Sequence, residues 1–135
     1  MLPFSFLTPR PASRTQCELD AAIPATLQGR YVIGAPANNP RKELSEEHPY
    51  PLVFIHGTTD NSFRWLKAAT YFSAKGYSVW AFNYGKPESG RPVVPGVFAV
   101  NDIDESALEI AQTIDYILEV TGASKVDLVG HSQGC

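Results

Sequence analysis

One residue short of the end of the chain lies Gly130-His131-Ser132-Gln133-Gly134, whose G-x-S-x-G spacing is that of a nucleophile elbow. A serine does nucleophilic chemistry when a strand turns sharply into a helix beneath it and lifts its hydroxyl clear of the sheet. Such a turn strains the serine backbone. Side chains two positions either side would collide with adjacent strands, which glycine at 130 and 134 avoids. The N–H of Gln133 then faces the oxygen that gains negative charge when Ser132 Oγ attacks a carbonyl carbon. The chemistry expected is acyl transfer, which needs no organic cofactor. His131 adjoins Ser132, but neighbours on so tight a turn point apart, so it is excluded as the general base. His56 is expected to hold its own loop by a hydrogen bond, and His48 to sit in a loop without a partner. The three histidines lack ligand spacing, so no metal centre is expected.

A nucleophile needs a scaffold, and the preceding residues supply one. Val126, Leu128 and Val129 predict a short buried strand over 125–129 that delivers the elbow. Leu52-Val53-Phe54-Ile55 is a continuous apolar run closed by His56-Gly57, as in a strand buried on both faces of a parallel sheet. The polar residues 58–62 form a loop in which Asp60 and Asn61 are expected to cap a helix. Apolar residues at three- to four-residue spacing predict that helix from Phe63 to Lys75, ended by Gly76. Tyr77–Phe82 predicts a second strand. Residues 83–100 carry three glycines and three prolines among them, and so predict a long loop of the kind found at substrate entrances. Val93, Val94, Val97 and Phe98 could line an acyl pocket there or pack on the sheet. Asp102 and Glu105 predict a capping box, and Ile103, Ala107, Ile110, Ile114 and Ile117 or Leu118 an apolar helical stripe, ended by Gly122. The aromatic set Phe63, Trp65, Tyr71, Phe72, Trp80, Phe82 and Tyr84 is expected to be mostly core.

Strand, helix, strand, loop, helix, strand, elbow is the alternation of an α/β fold with a mostly parallel sheet and helices on both faces. Ligands bind at the carboxyl ends of such strands, where both His56-Gly57-Thr58 and Ser132 fall. Residues 1–49 are proline-rich and read as an irregular N-terminal segment, with Leu27–Ile33 a candidate edge strand and Arg41–His48 a solvated loop. Residues 50–135 form the α/β part. The chain has 135 residues, 44% hydrophobic and 19% charged, and is thus globular; its net charge of −3 gives no reason to expect nucleic acid as a partner. No apolar run is long enough for a transmembrane helix. The N-terminus as written lacks the basic region of a signal peptide, and the compartment stays open. Cys17 and Cys135 cannot define a disulfide framework.

The chain resembles the α/β-hydrolase superfamily, and more narrowly the bacterial class 2 triacylglycerol lipases and esterases in their actinobacterial form. The residues that carry the likeness are P-L-V-F-I-H-G-T-T-D-N-S-F at 51–63, G-Y-S-V-W-A-F-N-Y-G at 76–85 and the run from Ser106 to Gly134. The resemblance implies an ester hydrolase with a Ser-Asp-His triad on an eight-stranded sheet. Ser132 matches the nucleophile. The oxyanion donors implied are the main-chain N–H groups of Gln133 and Thr58, with Thr59 the alternative on a slightly different loop path. The substrate implied is a small-molecule or lipid ester, with transient contact at a lipid interface. In the family the acid and the histidine follow the serine. The expectation is therefore the N-terminal part of the fold, truncated after the elbow strand, with residues 125–129 left as an edge and the 135 residues inactive alone. Cys135 stands where relatives usually show a third glycine. Two further readings are a non-catalytic α/β binding module, and an acyltransferase or thioesterase of the same fold.

Overall fold

β1 (Leu52–Ile55) is the middle strand of a three-stranded sheet in the computed structural model, which describes residue 18, residues 22–28, residue 33, residues 36–86 and residues 94–135. All four of its residues are buried, as an uninterrupted apolar run requires. β2 (Val79–Ala81) pairs with one side and β3 (Asp127–Gly130) with the other, both parallel, giving the order β2-β1-β3. Register places Leu52 beside Val79 and Asp127, and Ile55 beside Gly130. The carboxyl ends of the three strands therefore share one edge, and the elbow and the His56-Gly57 loop emerge side by side.

Alternate residues of β1 point to opposite faces, and a helix covers each face. Leu52, Phe54, Val79 and Ala81 pack with Ala69 of α1 (Leu66–Ala74). Val53, Ile55, Trp80, Phe82 and Tyr84 pack with Tyr116 and Ile117 of α2 (Ile103–Thr121). The Asp102 carboxylate accepts the N–H groups of Asp104 and Glu105 at the start of α2, and Gly122, at φ 72°, ends it with its N–H on the Leu118 carbonyl. The α/β class, the parallel sheet and helices on both faces are thus as the sequence predicts.

Several bounds and burials differ from expectation. The helix foreseen from Phe63 opens as a 3-10 turn, Ser62–Trp65, with Asn61 as its cap, accepting the Phe63 N–H. β2 is three residues long rather than six, since β1 itself pairs only with Val79, Trp80 and Ala81. Along α2 the apolar stripe is displaced: Ile103 is 68% exposed and Ala107 is exposed, while Ser106 and Thr113 are buried. Thr113 tolerates burial because its hydroxyl donates to the Glu109 carbonyl at 2.7 Å and meets the Thr26 hydroxyl at 2.5 Å. Phe63 and Tyr71 lie on the solvent side of the first helical segment, at 45% and 58% exposure, and so leave the expected aromatic core. His48 has a partner after all, stacking on Tyr77 at 3.7 Å. Most of the candidate edge strand 27–33 falls outside the described residues, and Leu27 closes a 3-10 turn, Ala25–Leu27.

The irregular N-terminal residues contribute to the sheet. Ile33 and Ala37 are buried with the α1-side core. Asn38, at φ 60°, runs its side chain along β2: the Ala81 N–H donates to Asn38 Oδ1 at 2.8 Å, and Asn38 Nδ2 donates to the carbonyls of Ala81 at 2.8 Å and Ile33 at 2.7 Å. Its own N–H donates to the Val79 carbonyl at 2.8 Å. One carboxamide thus satisfies the groups a further strand would take. β3 has no such cover among the described residues: Asp127, Leu128 and Val129 are exposed, as expected of an edge.

Candidate active site

β3 delivers its chain at Gly130, the N–H of His131 bonds the Ile55 carbonyl at 3.1 Å, and the backbone then turns abruptly. Ser132 sits at φ 57°, a left-handed conformation disfavoured for a residue with a side chain. A 3-10 turn, Ser132–Gly134, follows directly. The two glycines are there for space. A Cβ at 134 would lie 2.5 Å from the Ile55 carbonyl oxygen and 2.8 Å from that of His56, and a Cβ at 130 would run into the Gly134 carbonyl. The first clash is with the neighbouring strand, as the sequence predicts. The second is within the elbow, whose turn is tight enough to bring residue 134 back over residue 130.

The loop leaving β1 lies against this turn. At Gly57 a Cβ would meet Ser132 Cβ at 2.9 Å and the His131 carbonyl oxygen at 3.0 Å. Beyond it the chain makes a β-turn, the Asp60 N–H returning to the Gly57 carbonyl at 3.3 Å with Thr59 at φ 60°. Positive φ at the third residue marks a type II turn. The Thr58 hydroxyl donates to Gln133 Oε1, so the structure brings Thr58 and Gln133 together across the two loops. The Thr59 hydroxyl instead bonds the Thr58 carbonyl. The main-chain N–H groups of Thr58 and Gln133 donate to no other described residue. Ser132 Oγ has no hydrogen-bonded histidine among the described residues.

His56 is wholly buried behind this loop. Its ring stacks on Tyr84 at 4.5 Å and its Nδ1 lies 2.8 Å from the Gly57 carbonyl oxygen. Burial lowers its pKa below the ordinary imidazole value; the Gly57 bond and the Asp60 carboxylate act in the opposite sense, and Arg64 adds to the lowering. Asp60 pairs with Arg64 Nε and accepts the Asn61 N–H at 2.9 Å. Burial works to raise its pKa, but those two bonds prevail and hold it below the usual carboxylate value. Asn61 caps the following turn and donates Nδ2 to the Gly96 carbonyl at 2.8 Å, tying the 94–100 segment to the loop. Phe98 of that segment is buried edge-on to His56, so it is core, whereas Val94 is 57% exposed. Residues 87–93, including Val93, lie outside the described residues.

Tyr84 was legible only as an aromatic, yet its hydroxyl donates to the His56 carbonyl at 2.7 Å and pins the start of the loop. The Gly57 constraint was equally hidden, since it depends on the approach of a turn 75 residues later. The glycine beside His56, directly after a buried strand, was the available signal.

A family model described as Lipase (class 2) matches residues 49–135. The human lysosomal acid lipase/cholesteryl ester hydrolase is 31% identical over 107 residues, 70% of this chain and 27% of its own length. The triacylglycerol lipase of Vibrio cholerae is 31% identical over 90 residues, 63% of this chain and 25% of its own length. The chain thus spans about a quarter of the length of these relatives. With the match running from the residues before β1 through the elbow, the chain belongs to the class 2 lipase family.

Proposed function

We propose that Ser132 is the nucleophile of a carboxylic-ester hydrolase that acts by acyl transfer on lipid or small-molecule esters. The observation that carries this reading is the strained φ of 57° at Ser132, between two glycines that admit no side chain, at the end of a parallel strand. Ser132 Oγ attacks the ester carbonyl carbon while its proton passes to a base, and the carbonyl oxygen becomes an oxyanion. The main-chain N–H groups of Thr58 and Gln133 receive that oxygen, and both are without a competing acceptor among the described residues. The tetrahedral intermediate expels the alcohol, which takes up the proton, and water then releases the acid by the same steps reversed. The names of the relatives, a triacylglycerol lipase and a cholesteryl ester hydrolase, favour a lipid ester.

The base is not among the histidines of this sequence. His56 is wholly buried with Nδ1 committed to Gly57, His48 is stacked on Tyr77, and His131 stands on the turn beside Ser132. Losing the histidine of a catalytic triad costs on the order of 10⁶-fold in turnover in the subtilisin case. Residues 1–135 alone are therefore expected to hydrolyse p-nitrophenyl butyrate on the order of 10⁶-fold more slowly than the polypeptide carrying this sequence in its source. The polypeptide carrying this sequence in its source is expected to hydrolyse it, and Ser132→Ala to abolish the reaction. Turnover surviving Ser132→Ala would overturn the assignment.

A further inference from the structure

Two demands meet at Gly57. Contacts of 2.9 and 3.0 Å around its Cβ position require glycine there. Glycine is also the residue whose backbone rotates most freely. The Gly57 carbonyl and the Thr58 N–H belong to one rigid trans peptide and point in opposite directions. Whatever fixes that carbonyl therefore aims that N–H. Two groups hold it, His56 Nδ1 at 2.8 Å and the Asp60 N–H at 3.3 Å, and the shorter contact comes from a ring that cannot move away. The imidazole is wholly buried, stacked on Tyr84 and faced edge-on by Phe98 at 6.4 Å, while the Tyr84 hydroxyl bonds the His56 carbonyl.

The tautomer follows from the same surroundings. His56 Nε2 is buried without a hydrogen-bond partner among the described residues. A proton on Nε2 would leave an unsatisfied donor there and set the Nδ1 lone pair against a carbonyl oxygen. A proton on Nδ1 makes the Gly57 bond and leaves only a bare acceptor buried. We propose that His56 is a positioning residue, acting as the neutral Nδ1–H tautomer, which holds the Gly57 carbonyl inward and so aims the Thr58 N–H at the oxyanion position over Ser132. The proposal rests on Thr58 serving as an oxyanion donor. Among the described residues, the charged and titratable groups that face the ring are Asp60 and Arg64 on the loop and the turn after it, and Tyr84 beyond β2. A second proton, on Nε2, would find no acceptor among the described residues.

The direct test is long-range ¹⁵N–¹H correlation spectroscopy of the His56 ring in the 135-residue chain at pH 7. A protonated Nδ1 with a bare Nε2 is expected, and a protonated Nε2 would overturn the proposal. The second test uses the ester-hydrolysing polypeptide from the source. His56→Leu is expected to lower kcat at least about tenfold with KM little changed, short of the 10²–10³-fold loss on removing a donor outright. His56→Asn, whose Nδ2 can occupy the place of Nδ1, should recover most of that loss. Wild-type kcat in His56→Leu, with Ser132→Ala inactive, would overturn the positioning role while leaving the nucleophile in place. An active Ser132→Ala would strike the Ser132 assignment instead, leaving the ring spectrum to decide the role of His56.

Discussion

Replacing Asn38 by alanine isolates the contribution of one carboxamide to the sheet that carries the site. Ala81 is fully buried, so its N–H and C=O cannot turn to water when Asn38 Oδ1 and Nδ2 are removed. Each buried group left unsatisfied costs about 1–3 kcal/mol. Asn38 also sits at φ 60°, where asparagine is tolerated and alanine is disfavoured by about 1 kcal/mol. Asn38→Ala should then lose about 3–7 kcal/mol, a large part of the 5–15 kcal/mol that holds a typical domain folded. Asn38→Gly relieves the backbone and should lose about 1 kcal/mol less. Asn38→Asp keeps the shape but sets a carboxylate oxygen against the carbonyls of Ala81 and Ile33, and should be as damaging as alanine. Urea unfolding followed by the fluorescence of Trp65 and Trp80 reads the result. With an m value of about 1–3 kcal/mol/M, the alanine midpoint falls by more than about 1 M or the chain is unfolded without urea. Midpoints of the alanine and aspartate variants within about 0.3 M of the parent, given that sensitivity, would refute the claim that Asn38 serves as the edge partner of β2.

Three shorter predictions concern the opposite edge and the loop. Leu128, 56% exposed on the uncovered strand β3, should tolerate Leu128→Lys, with less aggregation by light scattering and an unchanged urea midpoint; a lower midpoint would mean that Leu128 is packed. Because burial lowers the pKa of His56 in the folded state, the unfolded chain binds the proton more readily, so stability is full above about pH 6.5 and falls as the solution is acidified below it. His56→Asn should lose that part of the pH dependence, and an identical slope in both proteins would assign it elsewhere. Gly57→Ala adds one methyl against Ser132 and the His131 carbonyl, and displacing the nucleophile by a fraction of an ångström should lower kcat about tenfold to a hundredfold; undiminished kcat would show that the two loops separate freely.

The parts of this molecule that a local pattern encodes were readable before the structure. β1 is an apolar run between a proline and a His-Gly pair, α2 has an aspartate cap and a glycine stop, and the elbow is a five-residue motif. Parallel order followed from the alternation of elements, and with it the meeting of residues 56–58 and 132 at one sheet edge. Long-range contacts were not readable. Nothing local marks Asn38 as the partner of Ala81, 43 residues away. The helical stripe on α2 was misread at Ile103 and Ala107 because periodicity ranks side chains by polarity, whereas Thr113 is buried by virtue of two hydrogen bonds. At the site, residue types marked Ser132 and the two loops that the structure brings together. That His56 holds its loop by a hydrogen bond was expected from the sequence, but the acceptor, the Gly57 carbonyl, and the packing of the ring against Tyr84 and Phe98 were not.

The central claim is that the backbone presents Ser132 as a nucleophile beside two amide donors. The most direct measurement is to treat the polypeptide carrying this sequence, isolated from its source, with a fluorophosphonate and locate the adduct by tandem mass spectrometry. A single phosphonyl group on Ser132, formed at a rate that parallels loss of ester hydrolysis, is the predicted result. Ester hydrolysis that persists with Ser132 unlabelled, or an adduct on another residue that alone abolishes it, would contradict the account.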